Sequence, residues 1–143
     1  MYIESNGKVY ANYDSSMLFA LFYNLTEINN LQYLDTSYTA DMSCMFAGNM
    51  FLTELDLSSF DTSNVTNMSY IFTSMISLTK LDLSSFDTSN VTNLSHMFQN
   101  SSSLNIIIYG SKFVYDNNAS IDGIFDNCFA NISTDPSWDK AWR

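Results

Sequence analysis

The thirteen residues LDLSSFDTSNVTN occupy positions 55–67 and recur unchanged at 81–93, an offset of 26. Repetition of this kind sets the folding problem. Each copy has to adopt the same local structure, and a copy too small to bury a core of its own must bury it against its neighbours. The offset reaches beyond the identical block, carrying Leu52 to Leu78 to Leu104, Met42 to Met68 to Leu94, and Met45 to Ile71 to Met97. One aromatic position runs Phe19, Phe46, Phe72, Phe98, Phe125 at spacings of 27, 26, 26 and 27, so about four units span residues 17–128. The first and last are degenerate, as terminal repeats commonly are.

Within a unit, Leu55 and Leu57 alternate with Glu54, Asp56 and Ser58, the period of a short strand with the leucines inward and the polar residues in solvent. The next stretch, NVTNMSYIF, spaces Val65, Met68, Ile71 and Phe72 by three and four, which predicts a short helix or 3-10 turn, with Asn64 and Thr66 as its caps. Residues 1–16 are expected to form an N-terminal capping hairpin around Asn6-Gly7. Residues 129–143 are expected to form a C-terminal capping tail in which Trp138 and Trp142 share one face of a helical turn.

Composition fits a stack of such units. Ser, Thr and Asn number 49 of 143 residues, against 4 Gly and 1 Pro. In stacked copies these short side chains can satisfy turns and neighbouring units without adding charge. Four of the eight N-x-S/T sequons, at Asn64, Asn67, Asn90 and Asn93, fall in the repeated block and reflect that role.

The formal net charge is −10, and between Lys8 and Lys80 the chain has seven acidic residues and no basic one. A phosphate backbone or an anionic bilayer calls for a Lys/Arg patch, so direct nucleic-acid binding is not expected. No apolar run approaches the roughly 20 residues of a membrane helix, so no membrane insertion is expected. The opening MYIESNGKVYANYDSS has no signal-peptide pattern. As written the chain reads as cytoplasmic; as a fragment of a larger surface protein it would be exported.

The repeats LTELDLSSFDTSNVTNMSYIF and LTKLDLSSFDTSNVTNLSHMF resemble the BspA-like branch of leucine-rich repeats, over about 110 residues. The resemblance implies an α/β repeat: a short right-handed leucine-rich-repeat solenoid with a parallel sheet on one face, short helices or 3-10 turns on the other, and a cap at each end. It also implies a role in binding or adhesion at bacterial surfaces. The family's frequent Cys, three residues after the Phe, is replaced here by Asn49, Met75 and Ser101, and returns only as Cys128.

Catalytic chemistry has little to build on. His96 is the one histidine, aligned with Tyr70 and Cys44, and is expected to face solvent. Cys44 and Cys128 are three units apart, about 14 Å at a strand-like spacing, beyond the ~7 Å that a disulfide spans. They are therefore expected as free thiols. Asp35, Asp61 and Asp87 open DTS turns and are expected to accept backbone N–H groups. Asp56 and Asp82 are expected to face water. No catalytic residue, metal site or cofactor is expected.

What remains is the outward stripe Glu54, Asp56, Ser58, then Lys80, Asp82, Ser84, then Ile106 and Ile108, which changes from acidic to apolar. It is the expected ligand-binding face of a non-enzymatic monomer whose partner is another protein. The alternative is a small acidic inhibitor that fills a basic nucleic-acid-binding cleft on a target enzyme.

Overall fold

A computed structural model describes residues 7–116 and 118–132. The expected α/β solenoid, with a parallel sheet along one face and helices along the other, is not what forms. Helix among the described residues amounts to one 3-10 turn, Leu31–Tyr33. The strands are short and belong to two small parallel sheets. In the first, β1 (Val9–Tyr10) pairs with β2 (Leu34–Asp35). In the second, β3 (Lys80–Leu83), β4 (Ile106–Tyr109) and β5 (Asn131–Ile132) lie side by side. Of the expected N-terminal hairpin, residues 1–6 lie outside the described residues, and so do Trp138 and Trp142.

Backbone dihedral angles explain the missing helices. In the stretch predicted helical, Tyr70 and Ser74 have φ of +58° and +58°, and every other unit repeats the pair: Met17 and Leu21, Cys44 and Gly48, His96 and Asn100, Gly123 and Asn127. A left-handed residue at every fourth position stops a right-handed helix before it completes a turn. Apolar spacings of three and four survive because the chain folds into successive tight turns, Ile71 N–H to the Met68 carbonyl and Thr73 N–H to the Tyr70 carbonyl.

The alternate N–H groups point out of the unit. Met68, Tyr70, Phe72 and Ser74 donate to the carbonyls of Asn93, Ser95, Met97 and Gln99 of the next unit. Turns within a unit and ladders between units thus divide the backbone groups between them, as buried backbone requires. Asn64 and Thr66 are not helix caps: Asn64 Nδ2 donates to the Ser37 carbonyl at 2.7 Å and Thr66 Oγ1 to the Ala40 carbonyl at 3.2 Å, one unit back.

The core lies between the units. Phe19, Phe46, Phe72, Phe98 and Phe125 stack with successive ring centroids 5.5, 5.9, 5.9 and 5.3 Å apart. Leu52, Leu57, Met68, Ile71, Met75 and Leu78 fill the space beside the rings, all but fully buried.

Candidate functional site

Alternation places the candidate side chains. In β3, Leu81 and Leu83 are buried while Lys80 and Asp82 are exposed. Residues 53–58 follow the same in-and-out order without being strand: Leu57 is buried, Leu55 half-buried, and Glu54, Asp56 and Ser58 exposed. The two segments lie close enough that Thr53, Glu54, Leu55, Asp56, Thr79, Lys80 and Asp82 line one open groove of about 440 Å³. A narrower cleft of about 100 Å³ adjoins it, lined in part by Asp56, Ser58, Asp82 and Ser84.

The carboxylates in the groove are fixed. Asp56 Oδ1 accepts the Ser58 N–H at 3.0 Å, and Asp82 Oδ1 accepts the Ser84 N–H at 2.9 Å. Neither aspartate merely faces water, as the sequence suggested. Each closes an Asx turn with one oxygen, which sets the direction of the other. Hydrogen bonds from the Ser58 hydroxyl and then its N–H hold the Asp56 carboxyl below its ordinary range. Ser84 does the same for Asp82, assisted by Lys80 and opposed by the nearby charge of Asp56.

Ile106 and Ile108 continue the face in register, Ile106 opposite Lys80 and Ile108 opposite Asp82. Ile106 is exposed and Ile108 half-buried. Beyond them, a Cβ on Gly110 would stand 2.1 Å from the Ser84 carbonyl oxygen, so only glycine allows β4 to approach this closely.

Sequence reasoning missed the walls of the groove. Thr53 and Thr79 share the 26-residue offset, and Leu55 supplies an apolar patch between the charges. The repeat offset signalled the threonines, but no periodicity shows that Leu55 stays half-exposed.

The model of one protein family, described as Mycoplasma protein of unknown function, DUF285, matches residues 16–138. This chain belongs to that family. No curated protein and no solved structure matches it.

Elsewhere in this DUF285 chain, titratable groups mostly serve the turns. Asp35, Asp61 and Asp87 accept the N–H and hydroxyl of Ser37, Ser63 and Ser89, the hydroxyls at 2.6 Å in each case. Lys8 reaches Asp35 at 2.9 Å and Lys112 reaches Asp87 at 3.2 Å, so both outer members of this column carry a cation. The Ser37 hydroxyl, Lys8 and the Ser37 N–H together lower Asp35 to about 2. Asp14, Asp41, Asn67 and Asn93 form a second column, each accepting an N–H two residues on.

His96 is not the solvent-facing residue the alignment suggested. Its ring stacks on Tyr70 with centroids 4.6 Å apart, and its buried Nδ1 has no hydrogen-bond partner among the described residues. Cys44 and Cys128 form no disulfide, the first half-buried and the second buried. Burial, then the charge of Asp41, pushes the Cys44 thiol up. Among the described residues, no three His, Cys, Asp or Glu side chains group as a metal site would require, and no helix is long and apolar enough to cross a membrane.

Proposed function

We propose that this chain is a non-enzymatic protein-binding module of the surface-adhesion kind that its BspA-like repeats imply, with its ligand in the groove between Glu54, Asp56, Lys80 and Asp82. One observation carries the reading. Asp56 and Asp82 are pre-oriented by their Asx turns beside an apolar patch at Leu55. A fixed carboxylate loses little side-chain freedom on binding, and such preorganisation favours recognition of an extended segment bearing Lys or Arg beside apolar residues.

Lys80 argues against a surface that mimics nucleic acid. It places a cation inside the acidic stripe, giving a mixed pattern suited to a protein partner.

The test combines Glu54→Gln, Asp56→Asn, Lys80→Met and Asp82→Asn in one variant. Asparagine can still accept the Ser58 and Ser84 N–H groups, so the fold is retained. Wild type should capture a protein partner that this variant loses while its melting midpoint stays the same. Equal capture by both would place the ligand elsewhere. Capture that collapses as salt rises would favour a charge-driven acidic inhibitor instead.

A further inference from the structure

In the turn segments hydrogen-bond polarity runs one way from unit to unit, although Thr66, Thr92 and Ser120 donate back to Ala40, Thr66 and Thr92 of the preceding units. Ser15, Met17, Phe19 and Leu21 donate to the carbonyls of Asp41, Ser43, Met45 and Ala47, and each later step repeats the pattern until Leu94, His96, Phe98 and Asn100 donate to Ser120, Asp122, Ile124 and Asp126. The turn rows at the two ends are therefore left with opposite groups. At the C-terminal end the N–H groups of Ile121, Gly123 and Asn127 find no acceptor among the described residues. At the N-terminal end the carbonyls of Ser16, Leu18 and Ala20 find no donor among them.

Side chains at the N-terminal end are also of the interior type. Leu18 and Phe22 are each 43% exposed, whereas their counterparts one unit on, Met45 and Asn49, are 0% exposed. The C-terminal end has a hollow of about 330 Å³, bordered by Ile121, Gly123, Ile124, Cys128 and Phe129.

We propose that the protein associates with itself head to tail, the N-terminal end of one copy docking on the C-terminal end of the next. The carbonyls of Ser16, Leu18 and Ala20 meet the N–H groups of Ile121, Gly123 and Asn127, and Leu18 and Phe22 enter the hollow. Opposed polarity selects this occupant. Two N-terminal ends would face acceptor with acceptor, and two C-terminal ends donor with donor. An unrelated extended strand presents N–H and C=O groups alternately along its edge and would leave part of either row unmet. The turn segment at an end of this chain offers a row of one kind at the spacing that already joins its units. The contact is heterologous and does not close on itself, so it builds open chains rather than a symmetric dimer. This departs from the monomer expected from sequence, and it is independent of the groove assigned above.

Sedimentation velocity on the full chain tests the proposal. Weight-average mass should rise about two-fold or more as concentration approaches roughly 1 mM, the range of a weak, small interface. Added salt should strengthen the association by screening the −10 charge on each copy. Phe22→Asp blocks the N-terminal end and Phe129→Asp the C-terminal end, both at exposed positions. Each variant alone should stay monomeric with an unchanged melting midpoint, and their 1:1 mixture should give a dimer that grows no further. A wild-type chain that stays monomeric overturns the proposal. So does a closed dimer, or growth that survives in both single variants.

Discussion

Asn49 donates through Nδ2 to the Phe19 carbonyl at 2.6 Å, across the boundary between two units. The same group donates to the Phe46 carbonyl at 2.9 Å, and Oδ1 accepts the Phe22 N–H at 3.1 Å. Two units on, Ser101 does equivalent work, its hydroxyl donating to the Phe72 carbonyl at 2.7 Å and accepting the Met75 N–H at 3.1 Å. Both residues are fully buried. The position that the resemblance reserves for cysteine thus holds, in two units, a polar bridge between backbones.

Replacing Asn49 by Ala should cost about 2–4 kcal/mol, because two buried backbone carbonyls and one part-buried N–H lose their partner together. Ser101→Ala removes a smaller bridge and should cost about 1–2 kcal/mol. Urea unfolding monitored by circular dichroism measures both. An Asn49 variant as stable as wild type would mean that water fills the gap.

Acid should weaken the fold through its turn aspartates. Asp35 titrates at about 2 in the folded chain, against ~3.9 for a free aspartate. The folded value is the lower one, so the stabilisation is present above pH ~4 and is lost as pH falls from there towards 2. Melting midpoints recorded across that window should fall in wild type and fall less steeply in Asp35→Asn. Parallel curves would place the acid sensitivity in other groups.

Backbone geometry makes two glycine predictions of opposite sign. Ser74 sits at φ +58°, where a side chain costs roughly 1–2 kcal/mol and glycine nothing. After the entropy glycine adds to the unfolded chain, Ser74→Gly should stabilise by about 0.5 kcal/mol. Gly110→Ala drives a methyl into the Ser84 carbonyl and should destabilise by about 2 kcal/mol or more. Chemical denaturation of the two variants in parallel checks the pair, and a tolerated Gly110→Ala would show that β4 can move away from Ser84.

Thiol chemistry should separate the two cysteines. Burial and Asp41 hold the Cys44 thiol in its protonated, unreactive form, so at pH 8 it should react with a disulfide reagent more slowly than free cysteine does. Asp41→Asn should speed it. Cys128 is buried and should react only when the chain unfolds. Two fast thiols in the native protein would contradict both statements.

Much of this was legible in the sequence because a repeat carries its own alignment. The offset of 26 placed the phenylalanine column, the turn aspartates and the outward stripe from Glu54 to Asp82. Local conformation was not legible. Val65, Met68, Ile71 and Phe72 have helical spacing, yet the left-handed residues at Tyr70 and Ser74 turn the same spacing into consecutive tight turns. No composition signal marks the first column, which holds Met17, Cys44, Tyr70, His96 and Gly123; in the second, Leu21, Gly48, Ser74, Asn100 and Asn127, the glycine and asparagines favour the left-handed region but Leu21 and Ser74 do not. Lys8 and Lys112 were equally hidden as ion-pair partners, since what places them is the stacking of units and not their local sequence.

The one-way ladder has a consequence for how such a gene changes. Each unit's turn segment hands its N–H groups forward and receives its predecessor's on its carbonyls, so an in-frame gain or loss of 26 residues leaves each junction with the same complement of donors and acceptors. Length in this protein is then a quantity that can drift by whole units while the chemistry of every junction stays constant.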